Sequence, residues 1–270
     1  MIYVTYTGFT KGPKLSYPYV IWTMRRTGGT TLALLLGTLS EYRGVQHEPF
    51  NKERIYGHIS AAFVKTADAS RLRLDLRERL AKRPVIKHCY ELVPHAFNEV
   101  LLDVTAELGY RHIILDRRNE IDRIVSLELA HQTGAWGSDA AKKIYPAIEA
   151  GEVVLEPLNM ERARQQMLLC HTHRQELAQK MDVAQIVPFV VYFEDVYSHP
   201  QAGRALIERL LAFLSIRPED HADYEKQVSD ALLRRGQNSA QILQAVPDVD
   251  AAINALKGLH IGRAPVFEAS

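Results

Sequence analysis

The residues best equipped for chemistry lie between 25 and 31. There the chain reads Arg25, Arg26, Thr27, Gly28, Gly29, Thr30 and Thr31, directly ahead of the apolar run LALLLGTL. Two glycines let the backbone come close to a ligand, and three hydroxyls can donate to it. A helix starting here aims its free N–H groups and the positive end of its dipole at the same point. A plain strand-to-helix turn would not need the adjacent arginines, so the pattern predicts an anion cradle. A kinase or nucleoside triphosphatase would carry G-x-x-x-x-G-K-[ST], with its lysine on the outer phosphates. No lysine follows Gly28 or Gly29, although Asp116 could imitate a magnesium-holding aspartate.

A second constellation follows at LDRRNEIDRIVSLELAHQTGAW, where Arg118 and Ser126 stand eight positions apart. A helix beginning near Asn119 carries Ser126 about two turns on, back toward the ligand of the first loop. Proton transfer needs a base, and Glu48, in GVQHEPF, is the first choice. His47 and His88 are alternatives, because imidazole titrates near neutrality. Lys87 and His88 are neighbours in PVIKHCY and, on a strand, face opposite ways, so both cannot address one ligand. His131 and Trp136 are candidates to line an acceptor pocket, since an aromatic face suits a sugar ring. His171 and His173, two apart on a helix, are poorly placed to share a metal. No metal is expected.

These residues need elements to hold them. Four short runs rich in β-branched residues, YVIW at 19 to 22, PVIKHCY at 84 to 90, RHIILD at 111 to 116 and IVPFVVYF at 186 to 193, read as strands buried on both faces. The spacers between them are long enough for helical crossovers. The expected fold class is therefore α/β, a phosphate-loop-like three-layer α/β/α arrangement with a central parallel sheet. Helices are predicted over 70 to 83, over 158 to 180 with Met167, Leu168 and Cys170 facing inward, from 200, from 221 and near 248 to 256. A single domain is expected, with an α/β core over 18 to 216 and a helical, irregular extension over 217 to 270. Residues 51 to 69 and 137 to 157 read as loops that would set acceptor preference.

The two constellations together resemble the sulfotransferases that use 3′-phosphoadenosine 5′-phosphosulfate. In that family an R-[ST]-G-[ST]-T loop holds the 5′ phosphosulfate and R-x7-S binds the 3′ phosphate; RTGGTTL and RNEIDRIVS match these. GVQHEPF, SLELAHQTGAW and VVYFEDV are similar to segments of the branch that includes bacterial trehalose 2-sulfotransferase. The resemblance implies that Arg25 to Thr31, Arg118 and Ser126 bind the donor, that Arg26 meets the leaving group, and that Glu48 is the catalytic carboxylate. It also implies sulfation of a hydroxyl on a carbohydrate or glycolipid, without a metal. Arg25 stands where the family has proline and Gly29 where it has Ser or Thr. Arg234, Arg235 and Gly236 are candidates for the closing nucleotide contact. A kinase-like phosphotransferase and a nucleotide-binding module without catalysis are the alternatives.

A net charge of +1 gives no general attraction to nucleic acid or to an anionic membrane, so any anion site must be local. The expected partner is a small-molecule or carbohydrate acceptor, and a homodimer is compatible with this reading. Only Cys89 and Cys170 are present, both in apolar stretches, which points to buried thiols in a reducing compartment. The first sixteen residues lack a signal-peptide pattern, and the most apolar stretch is far shorter than the roughly 18 residues a spanning helix needs. A cytoplasmic location is expected.

Overall fold

Every residue of β1 (Tyr19–Thr23) is buried, as a strand covered on both faces requires. The computed structural model describes residues 16–42, 44–233, 242–260 and 265–270. The N-terminal segment and the candidate nucleotide contacts Arg234, Arg235 and Gly236 lie outside these. β1 joins β2 (Gln46–His47), β3 (Ile86–Cys89), β4 (Arg111–Asp116) and β5 (Phe189–Tyr192) in an all-parallel sheet of order β2-β3-β1-β4-β5. The protein is thus α/β. β1 is central, and the order of the strands reverses there, the place at whose carboxyl side open parallel sheets commonly take ligands.

Alternation along the strands sorts side chains to two faces. Val20, Trp22, Ile86, Ile114 and Val190 pack with α2 (Gly57–Thr66), α3 (Ala69–Leu80), α4 (His95–Glu107) and α7 (Met160–Val183). Tyr19, Ile21, Ile113, Leu115 and Val191 pack on the other side with α1 (Gly29–Thr38), α9 (Pro200–Leu214) and α10 (Tyr224–Leu233). A third cluster joins α5 (Glu120–Thr133), α6 (Ser138–Glu149), α7 and α11 (Val249–His260). Helices therefore cover both sheet faces. The short α8 (Phe193–Tyr197) follows β5 directly.

Three expectations change. Residues 51 to 69 and 137 to 157 are not simply loops, since they hold α2 and α6. Ile59 and Phe63 lie one turn apart on α2 and are both buried, while Pro146 inside α6 disguises that helix. β2 is a two-residue edge strand too short to show a pattern. Leu168 is exposed, although Met167 and Cys170 are buried as expected. Cys89 and Cys170 are both free, buried thiols. Among the described residues no helix is long and apolar enough to cross a membrane.

Residues 265–270 run beside β5. Tyr192 Oη donates to the Phe267 carbonyl (2.6 Å), Val190 N–H donates to Ser270 Oγ (2.7 Å), and Ser270 N–H returns to the Val190 carbonyl (3.3 Å).

Candidate functional site

The loop from β1 to α1 takes its shape from two left-handed residues, Arg26 (φ 67°) and Gly28 (φ 79°). A side chain at Gly28 would also meet the Phe193 ring at 2.9 Å, so this position requires glycine twice over. Arg26 has no such licence, and its conformation is a local strain held by its surroundings. Thr27 is turned inward: its hydroxyl donates to the Met24 carbonyl (2.7 Å) and meets that of Thr23, which donates to the Leu115 carbonyl (3.0 Å). Thr27 shapes the loop. Thr30 is exposed and Thr31 half-buried at the start of α1. α1 has neither a side-chain cap nor an acidic residue in its first turn, a condition it shares with α2, α4 and α9. Its first amides are left for a partner from outside the helix.

The two loop arginines have different fates. Glu91, just after β3, accepts both the Arg25 amide (2.7 Å) and its Nε (2.9 Å) on one carboxylate oxygen. Burial opposes ionisation of Glu91, but Arg123 and Arg25 together hold it below the ordinary carboxylate range. Arg123 is fully buried, bonded to Glu120 (2.8 and 2.9 Å) and to the Arg25 carbonyl (3.2 Å). Arg174 grips Asp116 through two bonds (2.7 and 2.8 Å) and Glu120 through a third (2.7 Å). Three arginines thus answer three carboxylates beneath the loop. Asp116 has both oxygens committed to Arg174.

Arg26 stands outside this balance. Its Nε donates to Ser126 Oγ (2.9 Å), and no carboxylate among the described residues lies within ion-pair distance. Beside it is Arg117, whose Nη1 donates to the Arg26 carbonyl (3.4 Å) and whose guanidinium lies 4.6 Å from the Phe193 ring. Arg117 Nε is buried without a hydrogen bond; Glu194, at 3.8 Å, is too far to supply one. Burial lowers the pKa of both guanidiniums, and the presence of Arg117 lowers that of Arg26 further. Arg117 also reaches Asp122 through Nη2 (3.4 Å), so of these two half-buried cations only Arg26 is without a carboxylate partner among the described residues.

Arg118 is placed differently from Ser126. It forms a bidentate pair with Asp195 (2.7 Å for one arm) and lies 4.1 Å from the Tyr192 ring, exposed. Ser126 belongs to Arg26. Arg118 and Ser126 thus have separate partners, and it is Arg117 that bonds to the loop.

Glu48 extends the β2–β3 ladder, its amide donating to the Lys87 carbonyl (2.7 Å). Its φ of 52° directly before Pro49 is disfavoured on two counts. The carboxylate pairs with Lys87 and accepts from Asn51 Nδ2 (2.8 Å). His47 is half-buried, with its pKa lowered by burial and by Lys87. His88 turns the other way, as alternation requires. Trp22, Phe50 and Phe97 surround it, Nε2 meets Asn98 Oδ1 (2.8 Å), and burial pushes its pKa to about 4. The expected alternative base is therefore a core residue. Trp136 is half exposed, with His131 edge-on at 4.9 Å and the Arg25 guanidinium 5.9 Å from its ring.

Family models, curated proteins and solved structures give no match to this chain. Its functional reading accordingly rests on geometry. Glu91, Lys87 and Arg117 are additions to the residues expected from sequence. The doublet Arg117–Arg118 was a visible signal, and Arg117 is the member that bonds to the loop, at the Arg26 carbonyl. Glu91 carried no signal beyond its place at a strand end. Among the described residues, no three His, Cys, Asp or Glu side chains gather as a metal site.

Proposed function

We propose that this protein transfers a sulfuryl group from 3′-phosphoadenosine 5′-phosphosulfate to an acceptor hydroxyl of a carbohydrate or glycolipid. The observation that carries the reading is the half-buried Arg26, with no carboxylate partner among the described residues, beside Arg117 and a helix N-terminus without a side-chain cap and at the same sheet edge as Glu48. A strand, tight loop and helix N-terminus is the arrangement of phosphate-loop proteins. In this reading the donor brings two anionic groups: the amides of residues 29 to 31 with Arg26 would receive one, and Arg117 with Ser126 the other. The donor supplies an activated sulfur–oxygen bond. Charge grows on the departing phosphate oxygen, where Arg26 and the loop amides would receive it, as oriented donors do in other transfers. Glu48 takes the acceptor's proton. Trp136 and His131 flank the acceptor, with His47 beside Glu48. Two free buried thiols fit a cytoplasmic setting.

Calorimetry with 3′-phosphoadenosine 5′-phosphate, against ATP with magnesium, tests the reading. Tight binding of the former without metal is expected. Preference for ATP would replace this reading with a kinase-like one, and Asp116 would then have to leave Arg174 to hold the metal.

A further inference from the structure

Lys87 enters no motif, yet it connects the phosphate loop to the carboxylate. Its side chain is only 7% exposed and runs beneath Gly29: a methyl group at that glycine would stand 3.2 Å from Lys87 Cδ and 3.3 Å from Thr23 Cγ2. Gly29 has an ordinary φ, so its lack of a side chain is a matter of room rather than of backbone freedom. The glycine found where Ser or Thr was expected leaves space for the lysine stem. The Lys87 ammonium ends on Glu48, after its stem has passed Gly29 at the start of α1.

This arrangement sets a conflict. Burial by itself would disfavour ionisation of Glu48, yet Lys87, with a bond from Cys89 and the charge of Arg54, holds the carboxyl below its ordinary range. His47 and His88 also feel Glu48, and Asn51 fixes its second oxygen. A carboxylate locked to an ammonium is a poor proton acceptor.

We propose that Lys87 is a donor-responsive positioning residue: its ammonium holds Glu48 in the free protein, and an anionic donor settling on residues 28 to 31 draws it away and frees the carboxylate. The inference rests on the function proposed above. In the transfer that follows, the acceptor oxygen forms a bond to sulfur while its proton passes to Glu48. The bond from sulfur to the phosphate oxygen breaks, with its electron pair leaving on the nucleotide. The base is thus released only when there is a sulfuryl group to transfer.

The test is the proton count on binding 3′-phosphoadenosine 5′-phosphate, read by calorimetry of the full chain in buffers of different ionisation enthalpy near pH 5.5. Freed Glu48 binds protons more readily, so the wild type should take up a few tenths of a proton more per nucleotide than Glu48→Gln. In a Lys87→Met background that difference should largely vanish. Lys87→Gln, which can still donate to the carboxylate, guards against a packing defect and should behave the same way. Equal proton counts in wild type and Glu48→Gln would overturn the proposal. So would a difference that persists undiminished without Lys87, since direct repulsion by the nucleotide would then explain it. Failure of the nucleotide to bind would instead remove the function on which the proposal rests.

Discussion

Glu91→Gln changes one charge and almost no geometry. Both bonds from Arg25 fall on the same oxygen of Glu91, so the amide oxygen of Gln can keep them; its NH2 then faces Cys170 Sγ, now 3.6 Å from the other oxygen. What disappears is a negative charge with only 2% of its side chain exposed, shared between Arg25 and Arg123. Removing one partner of a buried ion pair costs roughly 3 to 5 kcal/mol. Here the hydrogen bonds survive and Arg25 is one-fifth exposed, so a loss of about 2 kcal/mol in urea unfolding is expected. The same change leaves Arg25 with uncompensated charge at the loop. A unit charge about 8 Å from a bound anion contributes up to ~2 kcal/mol at an effective dielectric of ~20, before screening by salt. Binding of 3′-phosphoadenosine 5′-phosphate should therefore tighten by about tenfold in low salt, and less as salt rises. A less stable protein that binds more tightly is the signature. Unchanged stability would refute the role of Glu91 as charge partner, and weaker binding would refute the view that it withholds Arg25 from the ligand.

The remaining predictions concern the other groups of the site and core. Arg26→Met should weaken nucleotide binding by about a hundredfold or more, through loss of charge-assisted bonds, yet leave thermal stability equal or higher because a half-buried cation without a carboxylate partner is gone. A matching drop in stability would argue for a purely structural arginine. Burial pushes both His88 and His112 down to about 4, while an unfolded imidazole titrates near 6.5. Above 6.5 both states are neutral; as pH falls from 6.5 toward 4 only the unfolded chain takes up protons, and stability should drop by up to roughly 3 kcal/mol per histidine. Denaturant melts of His88→Leu across that window should show a shallower decline than wild type. Trp136→Ala should cost under about 1 kcal/mol in stability, given its exposure, and leave nucleotide affinity intact. It should raise the KM for whichever sugar of a mono- and disaccharide panel accepts labelled sulfate, and an unchanged KM would remove Trp136 from the acceptor side.

The strands were legible because burial on both faces leaves a strong local mark: β4 (Arg111–Asp116) coincides with the run read from sequence, and β1 differs by one residue. The strand, loop and helix proposed as an anion cradle were legible for a similar reason. Few roles besides anion binding call for glycines, hydroxyls and arginines crowded together between Arg25 and Thr31. The pairing of charges was not legible. Which of two adjacent arginines turns to the loop depends on Asp195 and Glu194, brought from some 75 positions away by the β4–β5 pairing. The tie between Arg25 and Glu91 likewise exists only once β1 and β3 are side by side. Gly29 shows the same limit. Its departure from the expected Ser or Thr looked like an oddity of the loop, and its reason is the stem of a lysine on another strand.

The stretch 265–270 also covers the open edge of the sheet. β5 is an outer strand, and its backbone at Val190 is engaged on the open side by Ser270. An uncovered parallel edge invites another strand to add to it. A chain shortened to end before Phe267 would lose that cover, along with the ring buried in the larger core cluster. Such a chain would tend toward edge-to-edge association, so the handling of these last residues bears on solubility as much as on folding.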